Sequence, residues 1–197
     1  MLPSSPLSCL SPSDQALFYS YGIGRPRTLS RDAAIIHHVI DRHARERPDA
    51  IAVEHASCHE HLTYRALYNH SNRLAHLLRA HGVSPGKRVC ILARRSLELI
   101  VGIVGILKSG AQYVPLDAQT ITDDTLRFVL QDAQPTVVLV MSEYSHRVLG
   151  SPTIVLEGVF RPYLTANEEV EEVPDLSSPD DGAYVIYTSG TTGTLRI

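Results

Sequence analysis

Two hydrophobic periods alternate along this chain. Between residues 66 and 81, Leu67, Ser71, Leu74, Leu77 and Leu78 return every three or four positions, which predicts an amphipathic helix, and Gly82 follows as its stop. Ala34, Ile35, His38, Val39 and Arg42 keep helical spacing behind Ser30, a residue able to cap a helix at Arg31, and Pro48 ends the segment. Residues 96–108 predict a largely apolar helix in which Gly102 and Gly105 allow close packing. Thr122 opens another helix, to Ala133, with Asp123 and Asp124 at its positive end. Short apolar, β-branched runs stand between these helices: 87–92, 110–114, 136–140 and 153–156. Residues 144–149 predict one or two helical turns.

From 86 to 156, strand and helix alternate as in a parallel sheet with helices packed on it. The fold class expected is therefore α/β, a mostly parallel sheet with flanking helices. Upstream, 51–53 and 62–64 predict a hairpin. Residues 1–30, with four prolines, predict a flexible N-terminal segment holding a short helix at 13–19, ahead of one domain over 31–197. A polar linker with an acidic stretch at 168–172 leads to a final strand at 183–187.

Composition narrows the function classes. Net charge is −3 and tryptophan is absent, so no electrostatic footprint for nucleic acid stands out. The longest apolar run, 97–107, is interrupted by Glu98, Gly102 and Gly105, too short to span a membrane. The N-terminus does not have the pattern of a signal peptide. Three scattered cysteines without a C-x-x-C suit reduced thiols, and the expected location is cytoplasmic.

The densest chemistry follows the last strand: Thr188, Ser189, Gly190, Thr191, Thr192 and Gly193. Glycine permits positive φ and leaves no Cβ to block a ligand, so successive amides can curl around an anion while hydroxyls add donors. It is not a Walker A loop, which needs Lys then Ser or Thr after its last glycine. Composition alone fits a plain Gly- and Thr-rich hairpin turn better than a phosphate cradle. His55, Cys58, His59 and His61 form the best metal candidate, with His59 and His61 on one side if the chain is extended. No second ligand pair stands at zinc-finger spacing, so a polar turn is the preferred reading and no metal is expected.

The wording of the terminal stretch adds what composition does not. Tyr187-Thr-Ser-Gly-Thr-Thr-Gly193 resembles the first seven residues of the Y-T-S-G-T-T-G-x-P-K-G phosphate loop of the adenylate-forming superfamily. The family's Pro, Lys and Gly fall on Leu195, Arg196 and Ile197. Arg196 keeps a cation with a different phosphate geometry, and Ile197 lacks the freedom of glycine. Leu62-Thr-Tyr-Arg-Ala-Leu67 and Leu107-Lys-Ser-Gly-Ala-Gln-Tyr-Val-Pro-Leu-Asp117 resemble motifs of nonribosomal peptide synthetase adenylation domains, and Arg47-Pro-Asp-Ala-Ile-Ala-Val53 resembles their entry.

This resemblance implies an incomplete N-terminal lobe of an adenylate-forming enzyme, ending in its phosphate loop. It implies ATP with Mg²⁺ as cofactor, held at Thr188, Ser189, Gly190, Thr191, Thr192 and Gly193 with Arg196 as helper. Tyr187 is expected to anchor the strand, and Lys108 and Asp117 to be structural, with Pro115 ending its strand. The family's catalytic, acid-selecting and Mg²⁺-partnering residues lie downstream and map onto nothing here. The expectation is thus a truncated adenylation domain, inactive alone, whose partners are nucleotide and the remainder of a synthetase or a carrier protein. The alternative is a non-catalytic nucleotide- or partner-binding module.

Overall fold

The computed structural model describes residues 10–22, 35–160, 170–189 and 195–196. The chain divides into two compact units, Met1–Arg31 and Asp32–Ile197. In the first, α1 (Pro12–Leu17) is capped by Ser11, whose Oγ accepts from the Asp14 amide at 3.2 Å, and a π turn continues it over Phe18–Gly22.

The second unit is built on four parallel strands: β3 (Arg88–Ala93), β4 (Gln112–Asp117), β5 (Val137–Val140) and β6 (Thr153–Val155), in the order β4-β3-β5-β6. A separate antiparallel hairpin, β1 (Ile51–His55) with β2 (Glu60–Thr63), precedes it. The helices are α2 (Ile36–Glu46), α3 (Tyr64–Ala80), α4 (Leu97–Ser109), α5 (Asp123–Ala133) and the short α6 (Leu156–Phe160). A two-residue ladder, β7 (Thr188–Ser189) with β8 (Leu195–Arg196), closes the described chain.

Alternation along β3 explains the layering. Val89, Ile91 and Ala93 face one core with Leu74 and Leu78 of α3 and Val101 and Val104 of α4. Cys90 and Leu92 face a second core with Leu126, Val129 and Ala133 of α5. A strand covered on both faces is an uninterrupted apolar run because neither side meets water. Burial pushes the Cys90 thiol up to about 12, so it packs as a small apolar group and not as a nucleophile.

Three helices of this second unit start at hydroxyl caps. Thr63, Ser96 and Thr122 accept from the amides of Ala66, Leu99 and Thr125 at 3.2, 3.2 and 3.3 Å. α4 stops at Gly110, whose φ of 90° is open to glycine and strained for other residues. Gly105 sets the α3–α4 approach: a Cβ there would stand 2.7 Å from Leu74 Cδ2 and 3.0 Å from Leu74 Cβ.

Several expected boundaries move. The helix expected from Arg31 begins at Ile36, because Ile35 is extended at ψ 124°; Ser30 and Arg31 lie outside the described residues. Pro115 does not end its strand but sits inside β4, paired with Ile91. The Gln112 and Ala118 amides donate toward β3, whereas that of Tyr113 donates to Ala183 on the other side. By period two, Pro115 directs its missing N–H to that outer edge, where no β3 bond is lost. Residues 142–147 form a 3₁₀ turn, and Leu156, expected to end a strand, starts α6.

Candidate functional site

The approach to the terminal loop is tied down at both Tyr184 and Tyr187. Tyr184 makes a single parallel bridge with Tyr113: Tyr113 N donates to Ala183 O at 3.1 Å, and Val185 N donates to Tyr113 O at 3.0 Å. The expected strand at 183–187 is therefore reduced to one bridge against β4. Tyr187 Oη donates to Asp132 Oδ2 at 2.5 Å, in the last turn of α5, and its ring meets Phe128 edge-on. Burial, then the Asp132 carboxylate, push the Tyr187 hydroxyl above its ordinary range, so it stays a protonated donor. This is the anchoring role expected of Tyr187.

Immediately beyond, Thr188 pairs with Arg196 and Ser189 with Leu195 in antiparallel register. The backbone thus doubles back, and residues 190–194 connect the two arms. Gly190, Thr191, Thr192 and Gly193 lie outside the described residues, as do the side chains of Ser189 and Arg196. Residues 188–193 carry four hydroxyl residues and two glycines and no carboxylate, a donor-rich set whose chemistry suits an anion.

The other candidates resolve differently. Lys108 is buried: its Nζ pairs with Asp41 Oδ1 at 2.5 Å, donates to Asn72 Oδ1 at 2.7 Å and stands 4.1 Å from the Tyr68 ring centre. Burial lowers its pKa while Asp41 pulls it back up. Asp117 accepts from the Gln119 amide at 3.0 Å and shapes the turn after β4. Both roles are structural. In the β1–β2 turn, His55 Nδ1 lies 2.7 Å from Cys58 Sγ, and Cys58 Sγ lies 3.4 Å from Glu60 Oε2. His59 has φ 57°, so it is not extended and does not share a strand face with His61.

The sequence reading missed a grouping that spans most of the chain. His37 and His38, in the first turn of α2, converge on Asp175 in the segment leading to the loop. Only tertiary folding brings these residues together, so no local pattern announces them.

The AMP-binding enzyme family matches residues 40–195, more than three quarters of the sequence. The chain belongs to this family. As an AMP-binding family member it is 38% identical to adenylate-forming reductase 06235 of Coprinopsis cinerea, over 96% of this chain and 18% of that protein. It is 42% identical to malpinin synthetase of Mortierella alpina, over 80% of this chain and 2% of that protein. In structure it resembles the nonribosomal peptide synthetase FmoA3, solved with AMPPNP bound, at a TM-score of 0.72 and 28% identity, covering 91% of this chain and 18% of that one. The chain therefore spans about a fifth or less of the proteins it resembles. Among its described residues no helix is long and apolar enough to cross a membrane.

Proposed function

We propose that this chain is part of an ATP-dependent adenylation domain and supplies its phosphate-binding loop. Thr188, Ser189, Gly190, Thr191, Thr192 and Gly193 grip the β- and γ-phosphates of ATP, with Arg196 as an accessory cation. The observation that carries this reading is the wording of residues 187–193 within a chain whose residues 40–195 match the AMP-binding family. In a run of this composition successive amides and hydroxyls can gather around an anion, whose oxygens then collect several charge-assisted bonds. Mg²⁺ arrives bound to the phosphates of the nucleotide.

Adenylation also needs the acid held in line with the α-phosphate and the developing charge neutralised. A phosphate cradle supplies only part of that, so the 197-residue chain by itself does not activate an acid. The parent is a peptide synthetase or an adenylate-forming reductase that activates an amino or other carboxylic acid in the cytoplasm. Its further partners are the remainder of that enzyme and a carrier protein. Nucleic acid and membrane are not among them.

Acid-dependent exchange of pyrophosphate into ATP tests this. The purified chain should give background rates with every acid tried, while calorimetry detects binding of Mg-ATP. Exchange above background would overturn the inactivity, and no heat at millimolar nucleotide would overturn the cradle.

A second reading, a non-catalytic partner-binding module, draws on Tyr184 and Ile186, which are 54% and 48% exposed in a segment bridged to the sheet at one point. An open apolar edge pairs readily with another chain. Sedimentation as a concentration-independent monomer would count against it.

A further inference from the structure

We propose that His37, His38 and Asp175 form a binding site for a divalent transition metal, with zinc the ion that best matches the ligands. This inference is independent of the phosphate loop. His38 Nε2 lies 2.6 Å from Asp175 Oδ2, and His37 Nε2 lies 3.5 Å from Asp175 Oδ1. All the ligand atoms lie within 4.8 Å of one another. Two nitrogens and one carboxylate at about 2.0–2.2 Å from a tetrahedral zinc stand roughly 3.4 Å apart. The His37 spacing is already there. It is also long for a hydrogen bond, so the buried ring faces the carboxylate as a co-ligand would.

Consecutive helical residues normally diverge by about 100°. His37 and His38 nevertheless direct one nitrogen each at the same carboxylate, with their rings edge to face and centres 4.9 Å apart. His37 is 5% exposed, so its ring is held in place by packing. The Ser177 amide donates to Asp175 Oδ1 at 3.0 Å and orients the carboxylate, as outer partners of metal ligands do.

A fourth ligand has room. A cavity of about 180 Å³ borders His37 and is lined also by Ile35, Leu107, Ala111 and Ser177. The Ser177 hydroxyl is buried without a hydrogen-bond partner among the described residues. Binding replaces the proton shared by His38 and Asp175 with the metal and fastens residues 170–183 to α2.

The test uses the whole chain, stripped of metal, and zinc alone as probe, with competition against a chromophoric chelator for affinity. Cobalt absorption reports the ligand set. His38 and Asp175 side chains are 40% and 42% exposed, so His38→Ala and Asp175→Asn are the variants of choice, checked for native circular dichroism without metal. One zinc should bind, each variant should weaken it by at least about ten-fold, and Asp175→Glu should retain it. Cobalt should show tetrahedral ligand-field bands without a thiolate charge-transfer band, and Cys58→Ser should change nothing. Absence of binding, or equal affinity in His38→Ala and Asp175→Asn to that of the unaltered chain, would overturn the proposal. So would a thiolate band abolished by Cys58→Ser, which would place the ion in the β1–β2 turn.

Discussion

Replacing Lys108 by methionine keeps the stem of the side chain and removes the ammonium that three groups converge on. Lys108 Nζ is bound by Asp41 and Asn72 and lies over Tyr68, with side-chain exposure of 3% for Lys108 and 11% for Asp41. Removing one partner of a buried pair costs about 3–5 kcal/mol, because the other charge is left in a medium that solvates it poorly. The small remaining exposure of Asp41 lets water or a proton relieve part of this, so the lower end, about 3 kcal/mol, is expected. With a urea slope of about 2–3 kcal/mol per molar, the unfolding midpoint should fall by roughly 1 M or more. Asp41→Leu combined with Lys108→Met should recover much of the loss, since an apolar pair needs no charge compensation. The urea-unfolding cycle over the four proteins should give a coupling of at least about 2 kcal/mol. A single-variant loss below about 1 kcal/mol, or a double variant equal to the sum of the singles, would refute the view that α2, α3 and α4 are joined through this ion pair.

Further outcomes follow from the same structure. Gly105→Ala should destabilise by about 1–3 kcal/mol in urea unfolding, even though alanine favours helix, because Leu74 Cβ, 3.0 Å from the added methyl, cannot rotate away. His70 is buried and, through burial and then Arg73, its pKa falls from 6.5 to about 4. The unfolded chain therefore binds a proton near pH 6.5 that the folded chain refuses until about pH 4, so stability falls as pH falls across that window. The loss is about 3 kcal/mol in all, and unfolding of His70→Gln against pH should show a correspondingly flatter slope. Tyr187→Phe removes the bond to Asp132 and should cost about 1 kcal/mol or less, since Asp132 is exposed to solvent, with faster amide exchange at 184–188.

Local patterns revealed the parts whose causes are local. The stripe on α3, the Ser96 and Thr122 caps and the apolar run of β3 each declare their environment within a few residues. The close packing at Gly105 was legible in the same way, whereas the structural role of Lys108 came from the family wording, and its partner Asp41 lies on another helix. Pro115 was misread because strand identity alone does not say which edge a missing N–H faces; the neighbouring strands decide that. The 183–187 segment has the composition of a strand, but pairing requires a neighbour, and Tyr113 offers it one bridge. His38 and Asp175 are separated by 137 positions, so their meeting follows from the course of the chain and from no motif. For the terminal loop, the wording of residues 187–193 was the informative signal, and the hairpin at Thr188–Ser189 and Leu195–Arg196 is its local setting.

The central claim is that the loop binds the phosphates of a nucleotide. Backbone amide spectra of the chain during titration with Mg-ATP test it most directly. The account predicts saturable shifts at residues 188–193 at millimolar nucleotide, reproduced by AMPPNP and absent with adenosine. Amides 188–193 that stay in place while Mg-ATP is added, or that move equally with adenosine, would contradict it.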